Sequence, residues 1–364
     1  MPTVTFCISG HGFGHASRQI EIINRLPSRV QVIIRTSAPR WLFDRTVRVP
    51  FRFFECPCDT GIVQIDSLRL DEEESVRRAA TFYATFEDRV AREAAWLHEQ
   101  RVDLVVSDAP PLACAAAELA GRRCIVISNF TWDWIYSGYG SLFDRIAPNV
   151  IPTIRQAYAE ASEGWRLPMH GGFGDIRSVK DLPWVARHAT AARQDVLRRL
   201  GIPAHKPLAL SSFGGYGVRD LDLATLDCRD TWTVVITGRH PPVELPAGVA
   251  FVDESGLYAS GLRYEDLVAA CDVVVSKPGY GIISECLAND TALLYTSRGD
   301  FREYPVLVEA MPAFLKCAFI NQQDLLAGRW GPHLDQLVSQ PPPPARPATN
   351  GADVAADMLL ESLR

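Results

Sequence analysis

Three times in this chain an apolar run breaks into glycines and restarts with helical spacing. Val4 to Ser9 runs into Gly10, Gly12 and Gly14, Leu208 to Ser212 into Gly214, Gly215 and Gly217, and Val273 to Ser276 into Gly279 and Gly281. A strand that turns straight into a helix cannot pair with its successor through a hairpin, so the next strand must return parallel to it beneath that helix. The other apolar runs fit the rule, at 30–34, 104–107 and 124–127 in the first half and at 233–237, 250–252 and 292–295 in the second, with helical patterns between them. The prediction is an α/β protein of two open units facing across a cleft, each offering glycine turns at the carboxyl ends of its strands. Leu167 to Gly174 has a linker's composition, which sets the expected domains at 1–174 and 175–347. Beyond the prolines at 341–344, residues 348–364 are expected to form a last helix that packs back on the first domain.

At 364 residues with 47% hydrophobic content, the chain has material for two cored domains. No stretch approaches the roughly 20 apolar residues that span a bilayer, and the N-terminus opens on a strand rather than a basic and then apolar segment. A cytoplasmic protein without a transmembrane segment is expected. The nine cysteines sit mostly alone in apolar runs, as small core residues of a reducing compartment do. A net charge of −6 argues against a nucleic-acid partner. A P-loop is absent from the sequence, and dinucleotide binding fits poorly. Gly10, Gly12 and Gly14 depart from the G-x-G-x-x-G order, and the second strand ends Arg35-Thr36-Ser37 with no acid for a ribose. Asp220 and Asp222 form a D-x-D read as chance, so no metal is expected.

The turn at Ser276, Gly279 and Gly281 reads as a diphosphate cradle, because the unpaired N–H groups and positive end of the following helix attract an anion without any lysine. Glu285, one turn into that helix, is expected at the cleft mouth, accepting hydrogen bonds from ribose hydroxyls. In the first half, His15 sits where a general base is needed, and His11 either contacts an acceptor or orients the loop. Asp108 ends the third apolar run of that half, where it either fixes the tautomer of His15 or caps the helix before Pro110. Asn129, Trp132 and Asp59 lie in clusters that either stack on an acceptor or pack the domain. Polar residues from Ser297 to Tyr304 are expected around whatever extends beyond the diphosphate.

Together these segments resemble the GT-B glycosyltransferases, the group that holds the peptidoglycan N-acetylglucosaminyltransferase and the plant-type UDP-sugar transferases, and within it most resemble the glycosyltransferase-like half of L-arabinokinases. The resemblance implies two Rossmann-like domains, acceptor side first and donor side second. It also implies inverting transfer without metal from a UDP-linked nucleotide sugar, used as co-substrate with no other cofactor, to a hydroxyl of a small-molecule or lipid acceptor. Carried over, His15 is the base and Asp108 its partner. Ser212, Phe213, Gly214 and Gly215 match the loop near the donor phosphates, Ser276, Gly279 and Gly281 the second phosphate turn, and Glu285 the ribose carboxylate. Asp300, Arg302 and Glu303 fall at the donor sugar, with Arg-Glu where the family has Asp-Gln or Gln-Gln. The same resemblance leaves a nucleotide-sugar 2-epimerase and a non-catalytic nucleotide-sugar sensor as alternative classes. No galactokinase-like half follows, so sugar kinase activity is not expected.

Overall fold

The protein is described by a computed structural model covering residues 1–214, 217–238, 240–241 and 243–364. Gly215, expected in a phosphate loop, lies outside the described residues. In chain order the strands are β1 (Thr3–Ile8), β2 (Gln31–Thr36), β3 (Phe51–Glu55), β4 (Val63–Gln64), β5 (Leu70–Asp71), β6 (Leu104–Asp108), β7 (Arg123–Phe130), β8 (Glu163–Gly171) and β9 (Val179–Asp181), followed by β10 (Leu208–Ser211), β11 (Thr233–Gly238), β12 (Val249–Asp253), β13 (Val273–Ser276), β14 (Ala292–Tyr295) and β15 (Cys317–Phe319). They build a seven-stranded sheet of order β3-β2-β1-β6-β7-β8-β9 and a six-stranded sheet of order β12-β11-β10-β13-β14-β15. Every pair in both is parallel. A short antiparallel hairpin, β4-β5, stands apart.

The apolar runs form these strands because both faces of a parallel sheet are covered. Along β1, Val4, Phe6 and Ile8 enter one core and Cys7 the other, all buried. In each sheet the chain starts in the middle and reverses direction, between β1 and β6 in the first and between β10 and β13 in the second. Crevices at such reversals are where open α/β sheets bind ligands. All three glycine turns leave the sheets at these points.

The first sheet does not stop at residue 174. Residues expected to form a linker make the end of β8, and β9 carries the sheet on to Asp181. The glycines there serve close packing: a Cβ on Gly171 would lie 2.4 Å from the Trp134 ring, and one on Gly172, at φ +90°, would lie 2.0 Å from Thr131 Oγ1. The register shift between Ser128 and Phe130 accommodates this contact. The helix Gly351–Ser362 returns from the second unit to pack on the helix Phe13–Ile23 of the first, through Ala352, Ala355, Ala356 and Leu359, with an Arg25 Nε to Asp353 Oδ1 contact of 2.7 Å at the rim. Among the described residues no helix is long and apolar enough to cross a membrane.

Leu359 is fully buried in this seam. Leu359→Ala is expected to cost about 2–5 kcal/mol of stability, read as a lower urea midpoint at unchanged slope. A cost under about 1 kcal/mol would show that the returning helix is not part of the cooperative unit.

Candidate active site

A cleft of about 490 Å³ lies between the carboxyl ends of the two sheets. Gly10 and Gly12 shape its first wall. A Cβ on Gly10 would strike Ser37 Oγ at 2.1 Å, and Gly12, at φ +79°, turns the chain into the helix Phe13–Ile23 with no side chain capping it. Opposite, Gly279 opens the helix Tyr280–Ala288, also without a side-chain cap. The two helix starts touch at glycines: a Cβ on Gly281 would lie 3.2 Å from Gly14 Cα.

His15 stands on the first turn of its helix, 5% exposed, and lines the cleft. Its Nδ1 lies 2.9 Å from Asp108 Oδ1 and 2.8 Å from Arg18 Nη2. Arg18, one turn further on, also donates from Nε to Asp108 Oδ2 at 2.7 Å, from Nη2 to Oδ1, and from Nη1 to Asn129 Oδ1 at 2.6 Å. Gln19 adds a bond to Asp108 Oδ2 at 3.1 Å. Burial alone would raise the Asp108 carboxyl, but Arg18 and His15 outweigh it and draw it down to about 2. An ionised carboxylate only accepts, and the two Nη2 protons of Arg18 have acceptors in Asp108 Oδ1 and Ser128 Oγ, so Asp108 takes the proton of His15 Nδ1 and leaves Nε2 with its lone pair. Nε2 has no hydrogen-bond partner among the described residues.

His11 is committed otherwise. Its Nδ1 accepts from the Ile62 amide at 3.2 Å, which places any proton of the neutral ring on Nε2. Burial, helped by His15, Arg298 and Lys277, holds it well below the ordinary histidine range.

On the second wall, Ser276 Oγ donates to Ser212 O at 2.5 Å, and Ser212 Oγ bonds the Tyr264 hydroxyl, so the two glycine turns are tied together. Lys277, on the turn itself, donates to Gln64 Oε1 of the first unit at 2.9 Å. Burial and then Arg298 push it down to about 7. Glu285 is 4% exposed, and its Oε1 accepts from Arg187 Nε at 2.9 Å and from Arg187 Nη2. Arg187 Nη1 lies 3.4 Å from Glu265.

No protein-family model matches the chain. It is 30% identical over 365 residues to an L-arabinokinase of Arabidopsis thaliana, covering 98% of this chain and 34% of that protein, so it spans about a third of the length of the relative it matches. The glycotransferase of kitacinnamycin superposes with a TM-score of 0.63 at 16% identity over 100% of both chains. Phytolacca americana UGT2, solved with UDP-2-fluoro-glucose and pterostilbene, does so with a TM-score of 0.60 at 12% identity over 100% of this chain and 95% of that one. The chain has the GT-B fold.

Within the GT-B cleft the structure brings together His15, His11, Asn129, Ser212, Phe213, Gly214, Ser276, Gly279, Gly281, Glu285 and Glu303. Asp108 lies directly behind His15, and it does not cap the following helix, whose N-cap is Pro110 with no side-chain bond. Four expectations need correction. Glu285 is not a free carboxylate at the mouth, because Arg187 holds it in the wall, leaving only Oε2 without a partner among the described residues. Trp132 is fully buried and donates from Nε1 to Asp59 Oδ2 at 2.8 Å, so this pair packs behind the cleft. Arg302 points away, bonding Trp134 O at 2.9 Å and Ser137 Oγ. Asp300 is exposed, and only its carbonyl is held, by the Tyr139 hydroxyl. Glu303 does face the cleft, where Asn129 Nδ2 donates to its Oε1 at 2.6 Å. Asp222 caps a short turn and Asp220 pairs with Arg69 at 3.5 Å, neither at the cleft.

Arg18, Arg187 and Lys277 are the residues that sequence reasoning passed over, while Arg298, expected only as one of the polar residues from Ser297 to Tyr304, lines the cleft. Arg18 was signalled by its place three residues beyond His15, on one helix face; Arg187, 98 residues from Glu285, had no such mark. Glu285→Ala leaves the buried guanidinium of Arg187 with Glu265 alone. Loss of one partner from a buried pair costs about 3–5 kcal/mol, so the variant is expected to melt at lower temperature. An unchanged melting temperature would mean that the pair does not hold the wall.

Proposed function

We propose that this chain is a glycosyltransferase that moves a sugar from a nucleoside diphosphate donor, UDP-linked, to an acceptor hydroxyl, with inversion and without a bound metal. The observation that carries the reading is the His15–Asp108 pair on one domain, set against the Gly279 turn of the other across the Gly14–Gly281 contact. Support comes from the GT-B fold and from the UDP-sugar analogue held by the UGT2 relative.

In this mechanism His15 Nε2 takes the proton of the acceptor hydroxyl as its oxygen attacks the anomeric carbon from the face opposite the leaving group. The bond from that carbon to the diphosphate oxygen breaks, and the imidazolium that forms is balanced by the Asp108 carboxylate. The departing charge is met by the uncapped start of the helix Tyr280–Ala288 and by Lys277, which is the role a divalent ion would otherwise fill. Glu285 Oε2 accepts from the ribose. The acceptor enters from the first domain, past His11 and Asn129.

His15→Ala is expected to lower single-turnover transfer, measured with EDTA present, by roughly two to four orders of magnitude while donor affinity stays within about twofold. Asp108→Asn moves the rate in the same direction, and the double variant loses little more. If His15→Ala transfers at the wild-type rate while His11→Ala is dead, the base is misassigned.

Lys277 gives a pH signature. A diphosphate favours the ammonium, so a group near 7 in the free protein takes up a proton on binding. Affinity for UDP-glucose, whose diphosphate does not itself titrate near neutrality, is then highest below pH 7. It falls by up to about tenfold per unit above it. Calorimetry from pH 6 to 9 reads this directly, and Lys277→Gln should flatten the profile. A flat wild-type profile would remove Lys277 from the phosphate site.

A further inference from the structure

One cation in the cleft meets no group of the donor or acceptor in this mechanism. Arg298, on the loop after β14, is 6% exposed and lines the cavity. Its guanidinium lies 4.1 Å over the Phe301 ring, which stacks in turn on His11 at 6.0 Å, and the His11 ring is 6.4 Å from that of His15. Arg298 thus lies in the cleft between the Pro278 turn and the rings of Phe301 and His11. Its Nη1 donates to Pro278 O at 3.3 Å and stands 3.7 Å from Glu303, whose other oxygen is taken by Asn129. Nε is buried with no hydrogen-bond partner, and Nη2 has none among the described residues. Nε and Nη2 form one edge of the guanidinium fork, the same edge that Arg35 turns to both oxygens of Glu93 in this chain. A buried fork left open is costly, and its geometry matches a carboxylate.

We infer that this edge of Arg298 receives a carboxylate on the transferred sugar, so that the donor is a nucleoside diphosphate hexuronate. The inference rests on the glycosyltransferase reading. The diphosphate already has the helix start and Lys277. Arg298 comes from the donor domain, so the charge it meets belongs to the group attached to the nucleotide rather than to the acceptor. Burial loosens the proton of Arg298, and Arg298 in turn pushes Lys277 down; an anion at the fork relieves both.

The test is calorimetry on the whole chain with UDP, UDP-glucose, UDP-glucuronate and UDP-galacturonate, the last so that a preference between 4-epimers is not mistaken for indifference to the acid. The wild type is expected to bind one of the hexuronates roughly 10- to 100-fold more tightly than UDP-glucose, and Arg298→Gln to bring that ratio near one. Equal affinity for acidic and neutral sugars in the wild type overturns the inference. So does a ratio that Arg298→Gln leaves intact, as it would if the guanidinium served the diphosphate. If UDP and all three sugar nucleotides fail to bind, the glycosyltransferase reading falls with it. Should Arg298→Gln not fold, Arg298→Lys keeps the charge and loses the fork. The ratio should then drop, and a ratio held at the wild-type value counts against the inference.

Discussion

No side chain stands between the two helix starts that meet in this cleft. Gly14 and Gly281 let the backbones approach to van der Waals contact, and a Cβ on Gly281 would already crowd Gly14. Neither helix is capped, so both positive ends look into one space. Like ends repel, and the contact is held from its rim, by Asn129 on Glu303 and by Ser67 on the Phe213 carbonyl. An anion between the ends turns repulsion into attraction on both sides at once. The placement of His15, of the glycine turns and of the buried cations follows from that approach.

Each domain anchors its wall with a carboxylate gripped by arginine, and the two grips differ. Asp108 accepts from Arg18, His15 and Gln19 together and stays charged far below neutral pH. Glu285 shares Arg187 with Glu265, and burial raises its carboxyl despite the arginine. The first is a fixed negative charge under an imidazole. The second is a carboxylate whose free oxygen remains a hydrogen-bond acceptor at the cleft surface.

The strands and glycine turns were legible in the sequence because a buried parallel strand writes itself as a continuous apolar run, and a turn into a helix needs glycine. Cys7, Ile33 and Val105 could be placed this way without any partner known. β8 was not legible, because Gly171 and Gly172 look the same whether they loosen a chain or admit Trp134 and Thr131. Trp132 carries the composition of a ligand-stacking residue, yet its indole is spent on Asp59, a contact 73 residues away that no local pattern announces. Glu285 could be placed on its helix, but not its burial, since Arg187 comes from the connection between the domains. Local periodicity fixes which residues reach the cleft's edge. Pairing across long separations decides which of them remain free there.

The polypeptide passes between the lobes twice, near residue 185 and again near 350, and the two passages are bonded to each other. Trp184 N donates to Ala348 O at 3.1 Å, Gly351 N to Trp184 O at 2.8 Å, and Val185 bridges Asn350. A single tether would let one lobe swivel freely, whereas two bonded plies leave one axis, like a door hung on a pair of pins. That axis runs beside the cleft: Trp184 stacks on Tyr280 at 5.3 Å, the Tyr280 hydroxyl accepts from Val185 N, and Arg18 of the opposite lobe lies over the same ring at 5.5 Å. Any swing of the lobes therefore registers first at the residue that begins the uncapped helix of the second lobe.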